Sequence, residues 1–119
     1  MKSRKERSPI TTHVLDTARG RPAEGISARL EIEAPGGWTE LSNRTTDSDG
    51  RVENFLAPDY PLKPGVYRVT FETGPYLTSC HKEGFYPEVT ISFAVKASDQ
   101  HYHVPLLLSP FGYSTYRGS

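Results

Sequence analysis

The sequence predicts an all-β domain, an antiparallel β-sandwich of about eight strands with one short helix. Ten glycines and ten prolines interrupt the chain at short intervals. The segments between them mostly alternate apolar with polar residues, which is the period of a strand that buries one face. No repeat of fixed length and no low-complexity tract accompanies this pattern, so solenoids and propellers fall away. At 119 residues the chain has the size of one domain around a single core.

The first eight residues, Met1 to Ser8, are rich in charge and are expected to form a flexible N-terminal arm, leaving residues 9–119 as the domain. They lead into no apolar stretch of the length a secretory signal needs. No other segment approaches a transmembrane span. A cytoplasmic location, or a peroxisomal one in a eukaryote, is the expectation, and Asn43-Arg44-Thr45 reads as ordinary strand or loop rather than a glycan acceptor.

The first strand is expected over Ile10 to Asp16, where alternation sets Thr11, His13 and Leu15 on one face. Ala28 to Glu33 follows, with its apolar residues on one side and three charges on the other. Strands over Trp38 to Thr46 and Arg51 to Phe55 flank Asp47-Ser48-Asp49-Gly50. The Asp-Gly pair there is a hairpin signal that places Arg51 at the start of a strand. A calcium loop opens the same way, but its later ligands, notably a glutamate at the twelfth position, are missing.

Val66 to Glu72 comes after a Pro-Gly turn and sets Tyr67, Val69 and Phe71 opposite Arg68, Thr70 and Glu72. Pro75 to Glu83 is the candidate helix, with Pro75 in its first turn and Gly84 ending it. Val89 to Val95 carries four large apolar groups on one face. Gln100 to Ser109 turns His101 and His103 one way and Tyr102, Val104 and Leu106 the other. Gly112 to Arg117 closes the set.

Fourteen basic residues balance fourteen acidic ones. No overall field therefore draws the chain towards nucleic acid, an anionic membrane or an acidic partner. The single cysteine, Cys80, excludes an intrachain disulfide framework and suits a reducing compartment. No local signature pairs it with a base as a nucleophile would require. A Gly-x-Ser-x-Gly elbow, a phosphate-cradling glycine loop and a Cys-x-x-Cys pair are all missing.

Histidine is scarce, at four residues, and it is the side chain best suited to proton transfer near neutral pH. His81 falls in the helix or an adjoining loop. His101 and His103 on one strand, joined by His13, could ligate zinc, but spacing fixes no third ligand. Metal-free proton transfer asks less: one placed imidazole and a cationic or hydrogen-bonding partner. Position alone does not reveal the role of Arg51.

Two longer signatures narrow the choice. Thr11-Thr12-His13-Val14-Leu15-Asp16, with Gly20 and Pro22-Ala23, resembles the N-terminal signature of the 5-hydroxyisourate hydrolases, the enzymatic branch of the transthyretin family. Phe85-Tyr86-Pro87, His101-Tyr102-His103-Val104-Pro105-Leu106-Leu107-Leu108-Ser109-Pro110 and the final Tyr116-Arg117-Gly118-Ser119 resemble its C-terminal signature, with Tyr86 standing where phenylalanine is common.

The resemblance implies a transthyretin-like sandwich assembled as a homotetramer of two dimers, with sites at the dimer–dimer interface. It implies a cofactor-independent hydrolase without metal, opening 5-hydroxyisourate to 2-oxo-4-hydroxy-4-carboxy-5-ureidoimidazoline in urate breakdown. By motif match His13, Arg51 and His103 are the catalytic residues. His13, Arg51, Tyr116, Arg117 and Ser119 bind substrate, and His101 is a secondary member. The alternative on the same fold is a non-catalytic thyroid hormone carrier, which lacks this combination of histidines, arginine and Tyr-Arg-Gly-Ser.

Overall fold

The structure, a computed structural model, describes residues 7–119. Nine strands and one helix follow in order: β1 (Ile10–Asp16), β2 (Arg21–Pro22), β3 (Ser27–Ala34), β4 (Gly37–Thr45), β5 (Arg51–Val52), β6 (Gly65–Phe71), α1 (Thr73–His81), β7 (Val89–Val95), β8 (Tyr102–Ser109) and β9 (Gly112–Thr115). They form two sheets. One runs β2-β1-β8-β9 with β5 also paired to β1, and the other runs β4-β3-β6-β7.

The expected faces are the observed ones. Ile10, Val14, Leu106 and Leu108 of the first sheet and Ala28, Leu30, Tyr67, Val69 and Phe71 of the second are fully buried in one core. This follows from period-2 alternation, in which each inward residue removes apolar area from water; some outward neighbours, Thr11 and Thr70 among them, are buried as well.

The antiparallel expectation holds for every ladder except one, since β1 and β8 pair in parallel. Parallel neighbours cannot be joined by a tight turn. Here the connection between them contains the whole second sheet.

Element ends differ for local reasons. The helix begins at Thr73, ahead of Pro75, and its start is tied down by Thr73 Oγ1 donating to Tyr86 O at 2.7 Å and by Gly74 N–H donating to Pro87 O at 2.8 Å. It ends in the left-handed residue Lys82 (φ 69°), not at Gly84. Gly84 instead lets the chain pass over α1, because a Cβ there would lie 2.6 Å from Leu77 Cβ and Cδ1.

Strand β5 stops at Val52 rather than Phe55, β9 stops at Thr115, and the two-residue β2 carries no sequence signal of its own. Of the expected arm, residues 1–6 lie outside the described residues. Ser8 is buried: its hydroxyl donates to Ile10 O at 2.6 Å and accepts the Leu56 N–H at 3.1 Å.

Candidate active site

The turn before Arg51 is built by Asp47. Its Oδ1 accepts the backbone N–H of Asp49 at 2.9 Å and of Arg51 at 3.0 Å, and its carbonyl accepts Gly50 N–H at 2.8 Å. Gly50 sits at φ 74°, and a Cβ there would strike the Val14 carbonyl oxygen, so only glycine fits between this turn and β1. The Gly50 carbonyl accepts Val14 N–H at 2.7 Å, which docks the turn on the strand.

Register then does the assembling. On one side of β1, His13 lies opposite Arg51; on the other, Thr11 lies opposite His103. Paired residues of adjacent strands project to one face. Three strands thereby present Arg51, His13 with Thr11, and His103 on the outer face of one sheet, with His101 just ahead of β8. The inward neighbours Thr12, Val52, Tyr102 and Val104 are buried.

A cleft of about 410 Å³ opens over this face, with Thr11, Arg51, His101, His103 and Ser119 among its walls. Its imidazoles are arranged specifically. The rings of His101 and His103 lie nearly parallel, 6.4 Å apart, and Thr11 Oγ1 lies 2.9 Å from His101 Nε2 and 2.8 Å from His103 Nδ1.

Burial pushes the pKa of His103 below the ordinary imidazole value, and the positive charge of Arg51 pushes it the same way, with smaller contributions from His13 and Arg7. His13 is lowered too, by burial and then by Arg51, against a hydrogen bond to the Asp49 backbone and the charges of Asp47 and Asp49. Both shifts favour the neutral ring, the state in which a nitrogen lone pair can take a proton.

The last residues close one side. Gly118 N–H donates to His103 O at 2.9 Å, and a Cβ on Gly118 would lie 2.5 Å from His103 Cδ2 and 3.2 Å from Pro105 Cγ, so the glycine rests directly on the imidazole. Arg117 fastens this segment: its Nη2 donates to Gln100 Oε1 at 3.1 Å and to His101 O at 3.2 Å, and its guanidinium lies 4.5 Å over the Tyr102 ring.

Structural similarity leaves two chemistries side by side. The fold matches a Klebsiella pneumoniae 5-hydroxyisourate hydrolase (TM-score 0.79, 37% identity, 92% of this chain and 98% of that one). It also matches a sea bream transthyretin in complex with thyroxine (TM-score 0.86, 32% identity, 93% and 95%). The sequence profile of the HIUase/Transthyretin family matches residues 10–118.

The chain belongs to the HIUase/Transthyretin family.

Among its relatives, a mouse 5-hydroxyisourate hydrolase is 49% identical over 116 residues, spanning 96% of this chain and 98% of that protein. A Salmonella typhimurium 5-hydroxyisourate hydrolase is 46% identical over 110 residues, spanning 92% and 80%.

In this family member Arg51, His101, His103 and Ser119 meet in one cleft, and His13 stands beside Arg51 without lining that cleft. Tyr116 and Arg117 lie elsewhere. They border a neighbouring groove of about 340 Å³ between β7, β8 and β9, which shares only His103 with the first. Arg117 acts on the site as a strut, through Gly118 and the His101 backbone.

Sequence reasoning overlooked Thr11, although face alternation had set it beside His13. It also overlooked Arg7, Glu53 and Asn54, which line the cleft from irregular segments with no periodicity to read.

His81 has a different employment. Its Nε2 donates to Asp16 Oδ2 at 2.8 Å, and Tyr76 OH donates to the same oxygen at 2.7 Å, clamping α1 to the end of β1. Among the described residues no group of three or more His, Cys, Asp or Glu side chains is placed to hold a metal ion. No described helix is long and apolar enough to cross a membrane.

Proposed function

We propose that this protein hydrolyses 5-hydroxyisourate to 2-oxo-4-hydroxy-4-carboxy-5-ureidoimidazoline, with His103, Arg51 and His13 as its catalytic groups. The observation that carries the reading is the register of β5, β1 and β8, which gathers these side chains on one face beside Ser119. The relatives named for this reaction supply the substrate.

His103 takes a proton from a water, and the resulting hydroxide adds to a ring carbonyl carbon. Charge moves to the carbonyl oxygen, where the guanidinium of Arg51 stabilises it most as it grows. The ring C–N bond then breaks, and the imidazolium returns its proton to the departing nitrogen. Water is the only co-reactant, so no cofactor is required. Arg7 and Asn54 add donors suited to a substrate rich in carbonyl and N–H groups.

The alternative, thyroid hormone carriage, rests on the match to the sea bream transthyretin fold. The cleft argues against it, because charged and imidazole groups dominate walls that a hydrophobic ligand would need apolar.

Assembly as a tetramer of two dimers belongs to the same proposal. Strands β7 and β9 are unpaired sheet edges, and Phe111, Tyr113 and Tyr116 are exposed at or beside β9. A second copy would cover them. A cytoplasmic location suits the lone, reduced cysteine.

The deciding experiment follows freshly generated 5-hydroxyisourate spectrophotometrically against its spontaneous decay. The protein accelerates the loss, His103→Ala slows it on the order of 10²-fold or more, and exhaustive chelation leaves it unchanged. Parental decay in the presence of the protein, together with tight thyroxine binding, would establish the carrier instead.

A further inference from the structure

The imidazoles of His103 on β8 and of His101 just ahead of it are joined by one atom. Thr11 Oγ1 contacts His103 Nδ1 at 2.8 Å and His101 Nε2 at 2.9 Å, across 92 and 90 residues of sequence. A hydroxyl owns a single proton and two lone pairs. It can therefore donate to only one of these nitrogens, and at least one ring must itself donate to Thr11. The tautomers of His101 and His103 are coupled through this hydroxyl.

The parallel register sets Thr11 directly opposite His103, and the Thr11 hydroxyl engages His103 at Nδ1, so the nitrogen left to take a proton is Nε2. A neutral imidazole with a free Nε2 lone pair carries its proton on Nδ1. For His103 to serve as the base, its Nδ1–H therefore donates to a lone pair of the Thr11 hydroxyl, and the hydroxyl proton is left for His101 Nε2.

We propose that Thr11 is a positioning residue that holds His103 in the Nδ1–H tautomer, so that its Nε2 lone pair is presented to the cleft, with His101 as the acceptor that turns the Thr11 hydroxyl into place. This rests on the reading of His103 as general base and specifies how the base is made competent. In an isolated imidazole the Nε2–H tautomer is the more stable one, and a His103 in that form would have no lone pair to offer on that side. The same chain serves the imidazolium once water has lost its proton: Nδ1–H points at an oxygen whose own proton is committed to His101, which leaves that oxygen's lone pairs free to accept.

Besides Glu53, which lines the same cleft, the charged and titratable groups acting on His103 are Arg51 on β5, His13 on β1 and Arg7 ahead of β1. All three oppose its protonation. None of them selects between the two ring nitrogens by a hydrogen bond given to His103.

The experiment is long-range ¹H–¹⁵N NMR on protein labelled at histidine, which reads each ring's tautomer without substrate. In the parent protein His103 carries its proton on Nδ1 and His101 has an unprotonated Nε2. In Thr11→Val, which keeps shape at this buried position, His103 shifts towards the Nε2–H form and kcat falls about 10- to 100-fold, the usual effect of losing an orienting partner, while KM stays near parental. Thr11→Ser restores both tautomer and rate. His101→Phe, as a second variant, loosens the Thr11 hydroxyl and gives a smaller loss in kcat.

A parental His103 protonated on Nε2, or a Thr11→Val protein with unchanged tautomer and kcat, would overturn the proposal. Should the parent fail to turn over 5-hydroxyisourate, the proposed function fails, and the NMR spectra still decide the role of Thr11 on their own.

Discussion

Gly118→Ala puts the smallest possible side chain where the structure has no room for one. The new methyl would begin 2.5 Å from His103 Cδ2, 3.2 Å from His103 Cγ and 3.2 Å from Pro105 Cγ. Ordinary carbon–carbon contact is about 3.5 Å, so His103 or the tail must retreat by about 1 Å. Gly118 is not among the glycines with positive φ, so the alanine costs no backbone strain and the effect is purely one of contact.

If the ring yields, a reacting group moves by a distance that costs about 10²-fold in rate. If the tail lifts, the Gly118 N–H···O=C His103 bond at 2.9 Å is lost, with the Ser119 wall behind it. That bond is worth about 1 kcal/mol. Either way, kcat/KM for 5-hydroxyisourate falls about 30- to 100-fold, while melting shifts by only a few degrees. The control is Gly112→Ala on β9, where a Cβ would meet nothing closer than Ser109 Oγ at 3.7 Å. A Gly118→Ala enzyme with the parent's kcat/KM would refute the reasoning that the final residues shape the imidazole site.

Other perturbations follow from the same geometry. Arg51→Ala lowers turnover on the order of 10²-fold through the lost charge stabilisation. Because Arg51 depresses both His103 and His13, its removal lets the rings protonate at higher pH. The acidic limb of the residual pH–rate profile then moves upward, and a stationary limb would separate Arg51 from the base. Asp16→Asn destabilises by about 2–3 kcal/mol, read by denaturant unfolding, since one amide cannot accept from Tyr76, His81 and the Ala18 and Arg19 backbone together.

Burial raises the Asp16 pKa, but the hydrogen bonds from His81, Tyr76 and the Arg19 backbone outweigh it and hold the carboxyl below its usual value. Its stabilising contribution is therefore complete above the ordinary carboxylate range and is lost as pH falls through the folded pKa. The Asp16→Asn protein should show a flatter acid limb of stability than the parent, and parallel limbs would contradict the assignment.

What the sequence alone determined was local. Period-2 alternation set the inward faces of Ile10 to Asp16, Val66 to Glu72, Val89 to Val95 and Gln100 to Ser109, because burial of one face is written into each strand separately. It also set His101 and His103 on a common side, and Asp49-Gly50 announced the turn before Arg51. Those features need only neighbours in the chain.

Tertiary structure decided which strands lie side by side and in what register. The parallel pairing of β1 with β8 brings Thr11 to His103 across 92 residues. A strand's own residues do not encode that register, since many partners satisfy the same alternation and only the packed core selects one. For the same reason the destination of Arg117 at Gln100 and His101, the seat of Gly118 on His103 and the attachment of His81 to Asp16 were invisible beforehand. Each is a contact between segments that the folded sheets bring together.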